Sequence, residues 1–200
     1  MMTISGVSVT PDRGTIPPLE DFAYGLKQIV RFGGQTVVSW TVIQHLLACM
    51  QVAREEHRTQ SILPALEEMY CGMHDMHEAL TSDVPNGFKT ESFEELQDDL
   101  DVRIWRRFGL PSLDGQLAMR EYIKQVDRRM LLAEAAVVTP ARTYAAIQRE
   151  TNAVARPGDI EVVHEVLHTR YPEAVWLARM RDIIVRNGGR LPVQLGDIRA

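Results

Sequence analysis

From Leu19 to the end of the chain, apolar residues recur at spacings of three and four, and the recurrence breaks where Gly and Pro fall. That is the period of a helix with one buried stripe, not the strict alternation of a half-buried strand. The pattern predicts an all-α fold of about six or seven helices. The first covers roughly 19–30, with Phe22, Leu26, Ile29 and Val30 on one stripe, and stops before Gly33-Gly34. A second begins near Ser39 as N-cap and carries Val42, Ile43, Leu46, Leu47, Met50 and Val52 towards His57. A third begins near Ser61 with Pro64 in its first turn and runs to Thr81, where Ser82-Asp83-Val84-Pro85-Asn86-Gly87 forces a loop. Thr90 opens a fourth, whose Glu91, Glu94 and Glu95 suit the orphan amides of a first turn, and Gly109 closes it. Gly115 to Val138 reads as a long fifth helix, with Leu117, Ile123, Val126, Met130 and Leu131 on its buried stripe and Pro140 ending it. After an undecided stretch come helices over about 159–170 and 173–186, parted by Pro172, and an extended tail from Gly188.

Residues 1–18 break the pattern, because Gly6, Pro11, Gly14, Pro17 and Pro18 make an irregular arm with at most one short strand. The expected organisation is this arm, a helical core over 19–140, and a helical extension over 141–200 packed on the same domain. Two hundred residues with 45% hydrophobic and 24% charged content suffice for one substantial core. The net charge of −5 gives no general attraction for a nucleic-acid backbone or an anionic membrane surface. Neither polymeric nucleic acid nor a membrane is therefore an expected partner, and an anionic ligand has to be held by a local pocket. No apolar run reaches the roughly 18 residues of a membrane span, the N-terminus lacks a signal-peptide pattern, and a cytoplasmic location is expected. Cys49 and Cys71 lie in apolar segments and read as buried thiols, not a disulfide framework. No repeat or heptad run points to a solenoid or coiled coil.

The chemistry concentrates in His74-Asp75-Met76-His77-Glu78-Ala79-Leu80-Thr81-Ser82-Asp83-Val84-Pro85. An imidazole beside a carboxylate, with Glu78 a turn further on, brings ligands and a proton-transfer group together. A surface helix end of mixed charge would look the same. His45 sits in the apolar Trp40-Thr41-Val42-Ile43-Gln44-His45-Leu46-Leu47-Ala48-Cys49, where an imidazole needs either a hydrogen-bond partner or a ligand to hold. Asp127 is satisfied equally by an ion pair with Lys124, Arg128 or Arg129. Three long helices nonetheless deliver two imidazoles and two carboxylates, a good set for one divalent metal.

The order and spacing of these groups resemble the HD-domain metal-dependent phosphohydrolases, and within them the bacterial and phage 5′-deoxynucleotidase-like group and related phage deoxynucleoside triphosphate hydrolases. The resembling stretches are Arg31-Phe32-Gly33-Gly34-Gln35-Thr36, the segment ending in His45, the segment from His74 to Pro85, and Ile123-Lys124-Gln125-Val126-Asp127-Arg128. The resemblance implies a compact HD-domain helical bundle in which His45, His74, Asp75 and Asp127 ligate one divalent ion: Mn, Co, Fe, Ni, Zn or Mg. It implies that Glu78 works beside the attacking water, that Arg31 grips the substrate phosphate, and that Asp83 lines the sugar end of the pocket. Two positions depart from the pattern: Ser82 stands where a Gly is usual, and Phe32 follows Arg31 where relatives carry Trp.

The implied activity is metal-dependent hydrolysis of a small deoxynucleotide, led by release of phosphate from a deoxynucleoside 5′-monophosphate. The alternative is cleavage of a triphosphate such as dATP to deoxynucleoside and triphosphate, which needs further cations near Arg31; Lys27, Lys89, Arg128 and Arg129 are the candidates. A third reading keeps the fold as a non-catalytic nucleotide-binding or regulatory protein. Lys89 is a candidate second phosphate contact, and Trp40 either faces the site or belongs to the core at its helix start. His77 falls near the side of His74 and is either a supporting contact or solvated. His164 and His168 are spaced i, i+4 with nothing else converging on them, Trp105 among Arg103, Arg106 and Arg107 reads as packing, and so do Met69, Met73 and Met76. A homo-oligomer, a dimer or higher, is expected.

Overall fold

A computed structural model describes residues 1–10, 14–57, 64–111, 113 and 116–187. Among these the chain forms nine α-helices and no sheet: α1 (Leu19–Leu26), α2 (Val42–His57), α3 (Pro64–Cys71), α4 (Glu78–Thr81), α5 (Glu91–Arg107), α6 (Leu117–Val138), α7 (Ala141–Thr151), α8 (Pro157–Leu167) and α9 (Pro172–Arg186). The expected helix starts at Ser61 and Gly115, the arm's Pro11 and the tail from Gly188 lie outside the described residues, as does the side chain of His57. The all-α expectation holds. No helix among the described residues is long and apolar enough to cross a membrane.

α2 packs against α3, α6, α8 and α9, which is why its sequence is apolar almost all round. It starts at Val42, with Thr41 and not Ser39 immediately before it. The Gln44 side chain accepts hydrogen bonds from the Thr41 N–H at 2.9 Å and the Thr41 hydroxyl at 3.0 Å, satisfying amide groups that the helix cannot. α1 ends four residues earlier than its apolar stripe suggested. The Arg31 N–H donates to the Trp40 carbonyl and the Val42 N–H to the Ile29 carbonyl, so the backbone around Val30 pairs with Thr41 and Val30 points to solvent. This short pairing closes the 31–41 loop, and the Val37 N–H to Val138 carbonyl bond ties the loop to the end of α6.

The expected helix over 61–81 is broken between α3 and α4. A Cβ on Gly72 would lie 2.6 Å from the Met50 sulfur, so only glycine lets this turn approach α2, and the Trp176 indole N–H takes the Gly72 carbonyl at 3.0 Å. Residues 72–77 therefore turn with tight i to i−3 bonds and throw His74 and Asp75 off the helix axis. Met69, Met73 and Met76 are buried, as packing requires. In α6, Ile123, Val126 and Met130 are buried, but Leu117 in the first turn is exposed and Leu132 takes the place assigned to Leu131. Val162, Val163 and Val166 of α8 and Trp176, Met180, Ile183 and Ile184 of α9 join the same hydrophobic cluster as α1, α2 and α6. The undecided stretch after Pro140 is α7, which packs on α6 and is ended by Asn152 in the left-handed conformation.

Candidate metal centre

Three elements converge: α2 with His45, the 72–77 turn with His74 and Asp75, and α6 with Asp127. One donor atom from each of the four side chains lies within 4.8 Å of all the others. The two Nε2 atoms are 3.2 Å apart, and His45 Nε2 stands 3.3 Å from Asp127 Oδ1 and 3.5 Å from Asp75 Oδ2. Depth is graded. The His45 side chain is fully buried, His74 and Asp75 are nearly so, and Asp127 is 44% exposed, which leaves the Asp127 side open to an incoming molecule.

The hydrogen bonds around the imidazoles decide what this arrangement holds. His45 Nδ1 donates to Glu134 Oε1 at 2.6 Å, and His74 Nδ1 donates to the Cys71 carbonyl at 2.9 Å. Each ring thus keeps its proton on Nδ1 and turns an Nε2 lone pair inward, onto two carboxylates that also carry only lone pairs. Four electron-pair donors facing one point require a proton or a cation between them. Rings anchored through the far nitrogen to a carboxylate or a carbonyl are the arrangement that orients metal-binding histidines. The cluster can hold a metal ion.

The charges around the rings act in the same direction. Burial lowers the His74 imidazolium, but Asp75 and Asp127 outweigh it and push the group up to about 10. Burial and Arg31 lower His45, yet Glu134 and Asp127 bring it above the ordinary value. Burial raises Asp75 and Asp127, but the two histidines hold both below the usual carboxylate range. In the protein alone the centre keeps positive charge as imidazolium protons, which a metal ion would replace.

Arg31 stands beside the ligands. Its Nε donates to Glu134 Oε2 at 3.1 Å and its Nη1 to Asp75 Oδ2 at 3.3 Å. Phe32, which follows it, has a left-handed φ of 56° and packs partly against the core. Glu78 is buried, and its Oε2 has no partner; burial, with Asp75 and Asp83 close by, pushes its carboxyl up to about 9. Asp83 is half-buried and raised by burial, with Arg31 and Lys89 opposing that rise. Trp40 is fully buried and takes the core option.

Two participants were not singled out from the sequence. Glu134 binds both His45 and Arg31; the signal was a lone carboxylate in Leu131-Leu132-Ala133-Glu134-Ala135-Ala136-Val137-Val138, two turns after Asp127 on the same face. Asp101 accepts from His77 Nδ1 at 2.8 Å, which makes His77 a buried, paired group and not a solvated one. Within an acidic stretch of α5, Asp101 carried no signal of its own. Cys49 and Cys71 are free buried thiols, and Cys49 Sγ lies 3.6 Å from His45 Nε2. His168 Nδ1 donates to the His164 carbonyl at 2.6 Å, a local contact, and Trp105 packs edge-on against Tyr70.

No family model matches the chain. It is 27% identical over 118 residues to the uncharacterized protein YfdR of Escherichia coli (strain K12). The match covers 58% of this chain and 58% of that protein, so the chain spans a little over half the length of this curated relative.

Proposed function

We propose that this protein is a metal-dependent phosphohydrolase of the HD-domain type, acting on a small deoxynucleotide and releasing phosphate from a deoxynucleoside 5′-monophosphate. The observation that carries the proposal is the convergence of the His45 and His74 Nε2 lone pairs with the Asp75 and Asp127 carboxylates, both rings being anchored through Nδ1. A divalent cation held by these four residues supplies Lewis-acid chemistry and acidifies water. The chain's own groups do the rest. Arg31, held by Glu134 and Asp75, presents a guanidinium next to the ligands where a phosphate oxygen can be bound. Lys89 adds a second positive charge on the Asp83 side. Glu78 is a buried carboxyl close to Asp75 that would work beside the attacking water, and half-buried Asp83 would line the sugar end of the pocket.

The distribution of cations favours the monophosphate over the triphosphate. Lys27 is paired with Glu173, and Arg129 is held by Glu56 and Asp159. Arg128 lines a separate cavity of about 300 Å³ with Lys124 and Arg156. Of these candidate cations, Lys89 is the one that acts electrostatically on Glu78 and Asp83, as Arg31 does. The test is incubation of the purified protein with manganese or cobalt and each deoxynucleotide in turn, followed by product identification. Inorganic phosphate from monophosphates is expected; triphosphate from triphosphates would establish the other bond as the target, and no release from any nucleotide with either metal would refute both.

A further inference from the structure

Next to the four-residue centre lies a second set of donors. Asp75, His77 and Glu78 each offer a donor atom, and these atoms lie within 4.8 Å of one another. The Asp101 carboxylate accepts a hydrogen bond from His77 Nδ1 at 2.8 Å, so Nε2 is the nitrogen with which His77 would meet a cation; that nitrogen is buried and has no hydrogen-bond partner. Glu78 Oε2 is likewise buried without a partner. Two neighbouring polar atoms without partners, in residues only 6% and 3% exposed, are costly unless something between them binds both. Asp75 separates this set from the first and belongs to both.

The charge around the two sets has the same sense. Asp75, Glu78, Asp83, Asp127, Glu134 and Asp101 face or underlie the region, against Arg31 and Lys89. Carboxyl groups thus outnumber the two fixed cations, which favours bound cations over bound anions at this point. Two carboxylates and one imidazole make a set of intermediate hardness, suited to manganese.

We propose that Asp75, His77 and Glu78 form a second divalent-cation site, with Asp75 shared between it and the site of His45, His74 and Asp127. The proposal rests on the metal centre described above and extends it from one ion to two. A carboxylate shared by two cations sets them about 3.5–4 Å apart, a spacing at which both can hold oxygens of one phosphoryl group. In this arrangement Glu78 is a ligand, and its proton leaves as the second ion binds.

The experiment uses the full chain, stripped with chelator and titrated with manganese chloride alone; bound metal is counted by elemental analysis, and the spectrum is read by electron paramagnetic resonance. Two manganese ions per chain with an exchange-coupled spectrum are expected for the wild type. Glu78→Gln keeps the shape and removes the charge, and it should bind one ion at close to wild-type affinity and the second at least about tenfold more weakly. His77→Ala should do the same, and the isosteric Glu78→Gln decides the matter if His77→Ala fails to fold. One ion in both the wild type and Glu78→Gln would overturn the second site and leave the first standing. Two ions in both would also overturn it, since the second ion would lie elsewhere. No bound manganese in the wild type would refute the metal centre itself.

Discussion

Glu134 is the residue on which the centre's geometry turns, and Glu134→Gln removes one charge while keeping the volume. The carboxylate is fully buried and accepts two hydrogen bonds, from His45 Nδ1 at 2.6 Å and from Arg31 Nε at 3.1 Å. An amide has one acceptor oxygen, so its NH2 must face one of these two donors. If it faces His45, the ring is driven to rotate or to move its proton to Nε2, and the inward lone pair is lost. If it faces Arg31, the guanidinium keeps only Asp75 and pulls harder on a metal ligand. Loss of one buried, charge-assisted hydrogen bond costs about 1.5–3 kcal/mol, or a fall in Tm of roughly 3–12 °C in a chain of this size. Manganese affinity should fall about 10- to 100-fold, the usual consequence of removing the group that anchors a metal-binding histidine. Competition against a calibrated chelator measures the affinity, and melts with and without manganese measure the stability. A Glu134→Gln protein that melts lower but binds manganese as tightly as the wild type would refute the orienting role and leave Glu134 as a structural ion-pair partner.

Three further outcomes follow from the same geometry. In the metal-free protein, Glu78 holds its proton to about 9 against an ordinary 4.5, so unfolding releases a proton across that interval and the group's contribution to stability falls as pH rises through it. Glu78→Gln should therefore match the wild type near pH 4 and melt at least about 3 °C higher at pH 8; parallel Tm curves would contradict the assignment. Ser82 sits at φ 68°, ψ 161°, a region suited to glycine alone, and Ser82→Gly should stabilise by about 1 kcal/mol once glycine's greater unfolded freedom is subtracted; denaturant titration reads the gain. Gly72→Ala should cost about 1–3 kcal/mol by pressing a methyl onto Met50, with weaker manganese binding because the Cys71 carbonyl that anchors His74 must shift, and melts with the chelator titration read both effects.

The all-helical fold was legible because α2, α5, α6, α8 and α9 are long and strongly patterned, and because Pro172 parts α8 from α9. Helix ends were less legible where tertiary contacts intervened. Nothing local says that the backbone around Val30 pairs with Thr41, or that Gly72 is needed for an approach to Met50 and Trp176. The four candidate ligands could be read as chemically special residues on three separate helical segments. The groups that orient them could not, since Glu134 and Asp101 act through neighbours distant in sequence. Trp40 shows the same limit in reverse: an aromatic five residues before a candidate ligand is compatible with site or core, and only packing assigns it to the core.

The central claim is that His45, His74, Asp75 and Asp127 hold a divalent cation at one point. Anomalous scattering from crystals of the protein grown with manganese, recorded on both sides of the manganese edge, tests it most directly. The account predicts a manganese peak about 2.0–2.3 Å from both Nε2 atoms and from oxygens of Asp75 and Asp127. Crystals with manganese bound elsewhere, or with no peak between the two imidazoles, would contradict it.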